Sequence, residues 1–219
     1  MARRTADEYL RLREEMVQTQ LEARQITDDG VLTAMRKVPR HSFVPEELSA
    51  QAYDDKPLPI GPGSTISQPY IVAYMLEALR LSAHDKVLEV GTGSGYQTAL
   101  LCELVEKVYS VDINDELIAP ATKRLADLGY RNFFLRAGNG YAGWDRRAPF
   151  DAIIVSAACD SVPRDLVRQL GPYGRMIFPL DGEEQYLVLL EKTDSEILSQ
   201  ELIPVQFVPM QTEKRSGDH

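Results

Sequence analysis

The sequence predicts an α/β protein on one open, mostly parallel sheet of seven strands, with an antiparallel strand at the C-terminal end and extra helices at the N-terminus. Three observations carry this. From Lys86 onward, apolar runs of strand length alternate with helical segments, and that rhythm implies right-handed crossovers and a parallel sheet. The last two apolar runs have no helix between them, so they pair antiparallel. The first 36 residues repeat apolar positions at spacings of three to five, as amphipathic helices do. A length of 219 residues with 44% apolar content fits one domain with a sizeable core. Within it, 1–80 supplies helices and a covering loop, 81–210 the sheet core, and 211–219 a tail.

Each element has its own reason. Tyr9, Leu12, Met16, Val17 and Leu21 form one apolar stripe, and Val31, Leu32 and Met35 resume it after the Asp28-Asp29-Gly30 break. Val38–Pro69 is rich in Pro and Gly and reads as an irregular loop, long enough to serve as a lid or binding wall. Tyr70–Leu79 reads as a helix, with Ser67 or Gln68 placed to cap it and Pro69 in its first turn. Strands are expected at Lys86–Val90, Lys107–Val111, Asn132–Arg136, Asp151–Val155, Arg175–Phe178, Gln185–Glu191 and Leu202–Val208. Helices are expected at Tyr96–Leu104, at Asp115–Leu128 with Pro120 near its first turn, and at Pro163–Leu170.

Composition excludes several classes. No apolar stretch approaches the roughly 20 residues of a membrane span, and the polar, quickly acidic N-terminus does not read as a signal peptide. A cytoplasmic, soluble monomer is therefore expected. Cys102 and Cys159 read as two buried thiols in a reducing compartment. His41, His84 and His219 show no ligand spacing, and no metal is expected. A net charge of −9 argues against nucleic acid as a partner. Arg11, Arg13, Arg36, Lys37 and Arg40 could form a local basic patch, but such clusters are more often solvated helix faces.

The strongest local signal is Val87-Leu88-Glu89-Val90-Gly91-Thr92-Gly93-Ser94-Gly95-Tyr96, a strand running through a glycine turn into a helix. Glycines let backbone approach a ligand, and the helix start offers free N–H groups. A dinucleotide fingerprint would need glycine where Tyr96 stands. A phosphate loop would need Lys-Ser or Lys-Thr after the glycines, and neither is present. Asp112, about 20 residues further on, ends the next strand, where an acidic side chain can accept both ribose hydroxyls of an adenosine. It could equally open a turn with Asn114. Together the two elements point to an adenosine-type cofactor.

Beyond this turn, the chain resembles the protein-L-isoaspartate O-methyltransferases. The resemblance rests on 38–45 (VPRHSFVP), 52–55 (AYDD), 57–61 (PLPIG), 65–70 (TISQPY), 91–97 (GTGSGYQ), 148–151 (APFD) with Ala157-Ala158, and 207–210 (FVPM). The glycine turn is common to many methyltransferases, whereas Thr65–Tyr70 is much more specific. The resemblance implies a Rossmann-like fold, S-adenosylmethionine as cofactor and S-adenosylhomocysteine as product. It also implies a reaction, in which the free α-carboxylate of an isoaspartyl residue is methylated and the ester then closes to a succinimide that hydrolyses partly to aspartate. The acceptors would be isoaspartyl peptides and damaged proteins.

By the same resemblance, Ser67 matches the active-site position, although a Ser at that spacing can also cap the following helix. Thr65, Glu89, Gly91, Thr92, Gly93, Gly95, Asp112, Asn139 and Gly140 match cofactor-binding positions. Two residues depart from the family pattern: Ser64 stands where Gln is frequent, and Asn139 where Asp is usual. The competing readings are a member that keeps the cofactor site without turnover, as sensor or adaptor, and a methyltransferase for another acceptor.

Overall fold

The computed structural model describes residues 4–61 and 63–212. The first three residues of the N-terminus, Pro62 and most of the expected tail, with His219, lie outside the described residues. Helix α1 (Ala6–Met16) starts at a capping box in which the Glu8 N–H donates to Thr5 Oγ1 and the Thr5 N–H to Glu8 Oε2. The chain continues through a π-turn (Val17–Leu21) and a 3₁₀ turn (Glu22–Arg24) to α2 (Asp29–Lys37). The expected break contains the cap of α2: Asp28 Oδ1 accepts the Val31 N–H at 2.9 Å.

The loop 38–69 is more ordered than its composition suggests. It holds two 3₁₀ turns (Arg40–Phe43 and Glu46–Gln51) and an antiparallel hairpin of β1 (Leu58–Gly61) and β2 (Ser64–Ile66). Proline is tolerated because the hairpin has only two strands, so Pro59 can face outward without breaking a ladder. Helix α3 (Pro69–Ala78) follows, with Gln68 at its N-cap position and no side chain capping it. Ser67 is not the cap.

The main sheet has the order β5-β4-β3-β6-β7-β8-β9. Its parallel part comprises β3 (Lys86–Val90), β4 (Lys107–Asp112), β5 (Phe133–Ala137), β6 (Phe150–Val155) and β7 (Leu170–Leu180). Helices α4 (Tyr96–Leu104), α5 (Asp115–Asp127) and α6 (Arg164–Arg168) make the crossovers. β8 (Gln185–Lys192) runs antiparallel to both β7 and β9 (Ile197–Val205). β9 begins five residues earlier than expected and ends before Val208. Its middle, Ser199-Gln200-Glu201, is polar and exposed, so it is held by backbone pairing to β8 and carries no apolar signature.

Strand alternation divides the core in two. Val87, Ala152, Ile154, Leu187 and Leu189 face the layer of α1–α4, and Leu88, Ile153, Val155, Val188 and Leu190 face the layer of α6. Glu89 falls on the first of these faces, in register with Ser110 and Ile154. β3 pairs with both β4 and β6, so the direction of sheet growth reverses there, and the crevice beyond its C-terminal end is where such sheets bind ligands.

Three of the five basic residues weighed as a patch are engaged or buried. Arg36 bridges Glu14 and Glu22, Lys37 bridges Glu103, and Arg40 is wholly buried. Arg40 donates from Nε to the Ala52 carbonyl and from Nη2 to the Ser67 carbonyl, both at 2.7 Å, and its guanidinium lies 4.8 Å from the centre of the Tyr96 ring. A planar fork makes these contacts together; an ammonium cannot. Arg40→Lys should therefore lower stability by about 1–3 kcal/mol in urea denaturation. An unchanged midpoint and slope would show that the fork is dispensable.

Candidate active site

The glycine turn closes β3 onto α4. Gly91, Gly93 and Gly95 all lie at positive φ (99°, 54° and 88°), where other residues are strained. A Cβ on Gly91 would stand 3.2 Å from the Cβ of Ser156 at the end of β6, and one on Gly93 would stand 3.2 Å from Ile60. The hairpin thus lies over the turn, and the turn abuts the end of β6. Thr92 Oγ1 and Ser110 Oγ are 2.6 Å apart, which ties the turn to β4.

Beneath the turn, Glu89 is fully buried. Thr98 Oγ1 donates to its Oε2 at 2.5 Å and Gln97 Nε2 to its Oε1 at 3.2 Å, both from the first turn of α4. Burial pushes its carboxyl up to about 7 despite these donors and that of Ser110. Asp112 is less enclosed. Its Oδ2 accepts the Gly93 N–H at 2.8 Å and its Oδ1 the Asn114 N–H at 2.9 Å, while burial raises its carboxyl above the ordinary value. Asp112 therefore both opens a turn and reaches the glycine turn, and each oxygen keeps a lone pair for a further donor.

Asn139 follows β5 and caps the short 3₁₀ turn Gly140–Ala142, its Oδ1 accepting the Tyr141 N–H at 2.9 Å. Gly140 admits no side chain, since a Cβ would meet Val90 at 2.5 Å. The Gly138 N–H donates to the Asp112 carbonyl at 2.9 Å, so the ends of β4 and β5 are joined. Around the ends of β3, β4 and β5 the backbone therefore approaches closely enough that Gly140 admits no Cβ.

Thr65 and Ser67 lie elsewhere in this region. With Ile66 buried between them, both line a cavity of about 360 Å³ whose other walls are Pro57, Gln68, Ile71, Ser156 and the segment Pro204–Val208. None of these described lining residues carries an ionisable side chain. Ser156 belongs to the cavity and also touches the glycine turn, so it joins the two parts of the site. The sequence reading missed Ser156, Gln97, Arg40 and the wall formed by Gln206 and Phe207. Ser156 was findable, because it directly follows a strand at the reversal point of the sheet.

The sequence matches the family described as "Protein-L-isoaspartate(D-aspartate) O-methyltransferase (PCMT)" over residues 11–215. The chain belongs to this family. Among its relatives, protein-L-isoaspartate O-methyltransferase 2 of Shewanella sediminis is 50% identical over 207 residues, covering 94% of this chain and 85% of that protein. Protein-L-isoaspartate O-methyltransferase of Gloeobacter violaceus is 50% identical over 201 residues, covering 91% and 98%. The fold is similar to the crystal structure of a putative isoaspartate O-methyltransferase of Plasmodium falciparum in complex with S-adenosyl-L-homocysteine (TM-score 0.80, 26% identity, 94% of this chain and 99% of that one). It is also similar to another protein-L-isoaspartate O-methyltransferase structure, of which it spans 65% (TM-score 0.81, 27% identity, 90% of this chain).

Glu89 makes a prediction about pH. Its carboxyl sits at about 7 in the fold against an ordinary 4.5. Its stabilising contribution is complete below the lower value and lost as pH rises through the upper one. The melting temperature of the unsubstituted protein, relative to Glu89→Gln, should therefore fall between about pH 5 and pH 8. A gap independent of pH would mean that Glu89 does not titrate in that window.

Proposed function

We propose that this chain is a protein-repair enzyme that methylates the α-carboxylate of L-isoaspartyl residues in peptides and damaged proteins, with Ser67 as its catalytic contact. Family membership supports the reaction, and one observation carries the assignment of the site: the cavity lined by Ser67 holds neither a base nor a cation among its described lining residues. The chemistry needs neither. A carboxylic acid resembling a chain terminus, with a pKa of about 3.5, is already ionised at neutral pH. S-adenosylmethionine, when bound, supplies an electrophilic sulfonium methyl that a carboxylate oxygen accepts with no proton changing hands.

The residues then position and desolvate. The turn Gly91–Gly95, with Thr92, Asp112, Asn139 and Gly140, would hold the cofactor, Asp112 accepting the ribose hydroxyls and Glu89 acting from below through α4. Thr65, in strand β2 of the hairpin that covers the turn, lines the same cavity as Ser67. Ser67 offers the substrate carboxylate a neutral hydroxyl, while Ile71, Pro57, Phe207 and Val208 keep water away. A cation there would stabilise the ionised ground state more than the charge-neutralising transition state. Net charge of −9 and the paired or buried arginines of segment 11–40 favour a protein acceptor over nucleic acid. No helix among the described residues is long and apolar enough to cross a membrane.

Methyl transfer from labelled S-adenosylmethionine to an isoaspartyl peptide, with the aspartyl peptide as control, tests the reading. Absence of transfer to the isoaspartyl form would overturn it. Ser67→Ala should lower kcat/KM about tenfold to a hundredfold, the loss of one bond to a charged group. Because Ser67 caps no helix, its melting temperature should stay put; a stability loss with full turnover would reverse the assignment. Asp112→Asn should weaken S-adenosylmethionine binding about tenfold by calorimetry, and unchanged affinity would remove Asp112 from the ribose.

A further inference from the structure

We propose that the Ser156 hydroxyl is a second neutral donor to the substrate's α-carboxylate, standing with Ser67 in one cavity and aimed there by the Gln97 amide. The inference rests on the isoaspartyl reading and adds a residue to it.

The backbone of Ser156 is pinned where the sheet reverses direction. Its N–H donates to the Val90 carbonyl at 2.8 Å, and its Cβ packs against the Cα side of Gly91. Ser156 lines the same cavity as Ser67 and Thr65. The direction of its proton follows from its one described partner. Gln97 Nε2 lies 2.9 Å from Ser156 Oγ, and an amide nitrogen has only hydrogens to give. Ser156 is therefore the acceptor of that bond, and its own hydrogen is free for another.

The orientation of the Gln97 amide is itself determined. The same Nε2 faces Glu89 Oε1 at 3.2 Å, and with Glu89 ionised, turning the amide over would set its oxygen against a carboxylate oxygen. The ionised carboxylate thus orients the amide, and the amide leaves the Ser156 hydroxyl hydrogen available at the cavity that Ser156 lines. A carboxylate has two oxygens and about four acceptor sites. Ser67 alone would leave it free to rotate about its bond to the peptide; two donors from different elements, one on the covering loop and one at the end of β6, define its plane. That is a constraint on orientation, achieved without any cation.

The test uses the full chain and three variants: Ser156→Ala, Ser156→Thr and Ser67→Ala. Peptide affinity is measured by calorimetry with S-adenosylhomocysteine present, alongside kcat, KM, S-adenosylmethionine affinity and melting temperature. Ser156→Ala should raise both KM and the peptide Kd about tenfold to a hundredfold and lower kcat as the carboxylate loses its fixed plane, with cofactor affinity and melting temperature close to those of the parent. Ser156→Thr, which keeps the hydroxyl, should recover most of the peptide affinity. Parental KM and peptide Kd in Ser156→Ala overturn the inference, and so does a loss of peptide affinity that is matched by losses in cofactor affinity and melting temperature. If the unsubstituted protein fails to methylate the isoaspartyl peptide, the repair reading falls and this inference with it; normal methylation beside an indifferent Ser156→Ala removes the inference alone.

Discussion

A carboxylate buried at a strand position that would otherwise be apolar sets the geometry of the site. Glu89 shares a sheet face with Val87 and lies level with Ser110 and Ile154, against the first turn of α4. Removing such a group from water costs several kcal/mol unless donors surround it. Gln97 and Thr98 from α4 and Ser110 from β4 provide them. Meeting that demand fixes how α4 leaves the glycine turn, and so fixes the curve of Gly91–Gly95. Asp112 completes the arrangement from the next strand by accepting the Gly93 N–H. The turn is thus held from below and from the side, and its upper surface is left for a ligand.

A second buried charge holds the cover in place. Arg40 ties two carbonyls, of Ala52 and Ser67, which belong to different parts of the loop between α2 and α3, and it stacks against Tyr96 at the start of α4. The loop bearing Ser67 and the helix that leaves the glycine turn are therefore joined through one guanidinium. Burial pulls its pKa below the ordinary arginine value, yet such a group stays protonated in proteins. The hairpin gains its own contact with the turn through Ile60, opposite Gly93.

What the sequence revealed and what it withheld follow the range of the forces involved. Strands β3, β4 and β6 and helix α4 are legible because burial leaves mostly apolar runs bounded by glycine or by charge, Glu89 and Ser110 being the polar exceptions in β3 and β4. β9 is misplaced by the same logic: Ser199-Gln200-Glu201 belongs to an edge held by backbone pairing, which leaves no mark on side-chain pattern. The loop 38–69 looks irregular because its prolines signal broken ladders, and a two-stranded hairpin has a free side to accept them. The glycine turn and Asp112 stand out by spacing alone. Ser67 does not, since a hydroxyl before a proline-started helix suits a cap as well as a site. Only coordinates show that no side chain caps α3. The contact between Ser156 and Gln97 is invisible to spacing because the two come from the end of β6 and from α4, 59 residues apart in the chain.

The distribution of charge across the site is as informative as any single contact. Ionisable groups gather on the side of the glycine turn, where Asp112 adds to the burial that opposes ionisation of Glu89. The described lining of the Ser67 cavity carries none. Under the proposed function, negative charge beneath and beside the turn would favour the approach of a sulfonium cation, and that benefit would shrink once the sulfur became neutral after transfer. The substrate carboxylate would meet only hydroxyls, the amides of Gln68 and Gln206 and apolar walls, and a neutral lining would leave its negative charge available to the electrophile. Charge would thus be segregated, with acidic groups toward the cation and a neutral lining around the anion. The neutralisation is left to the reaction itself, as two opposite charges vanish together, and the protein's part is to bring them into line.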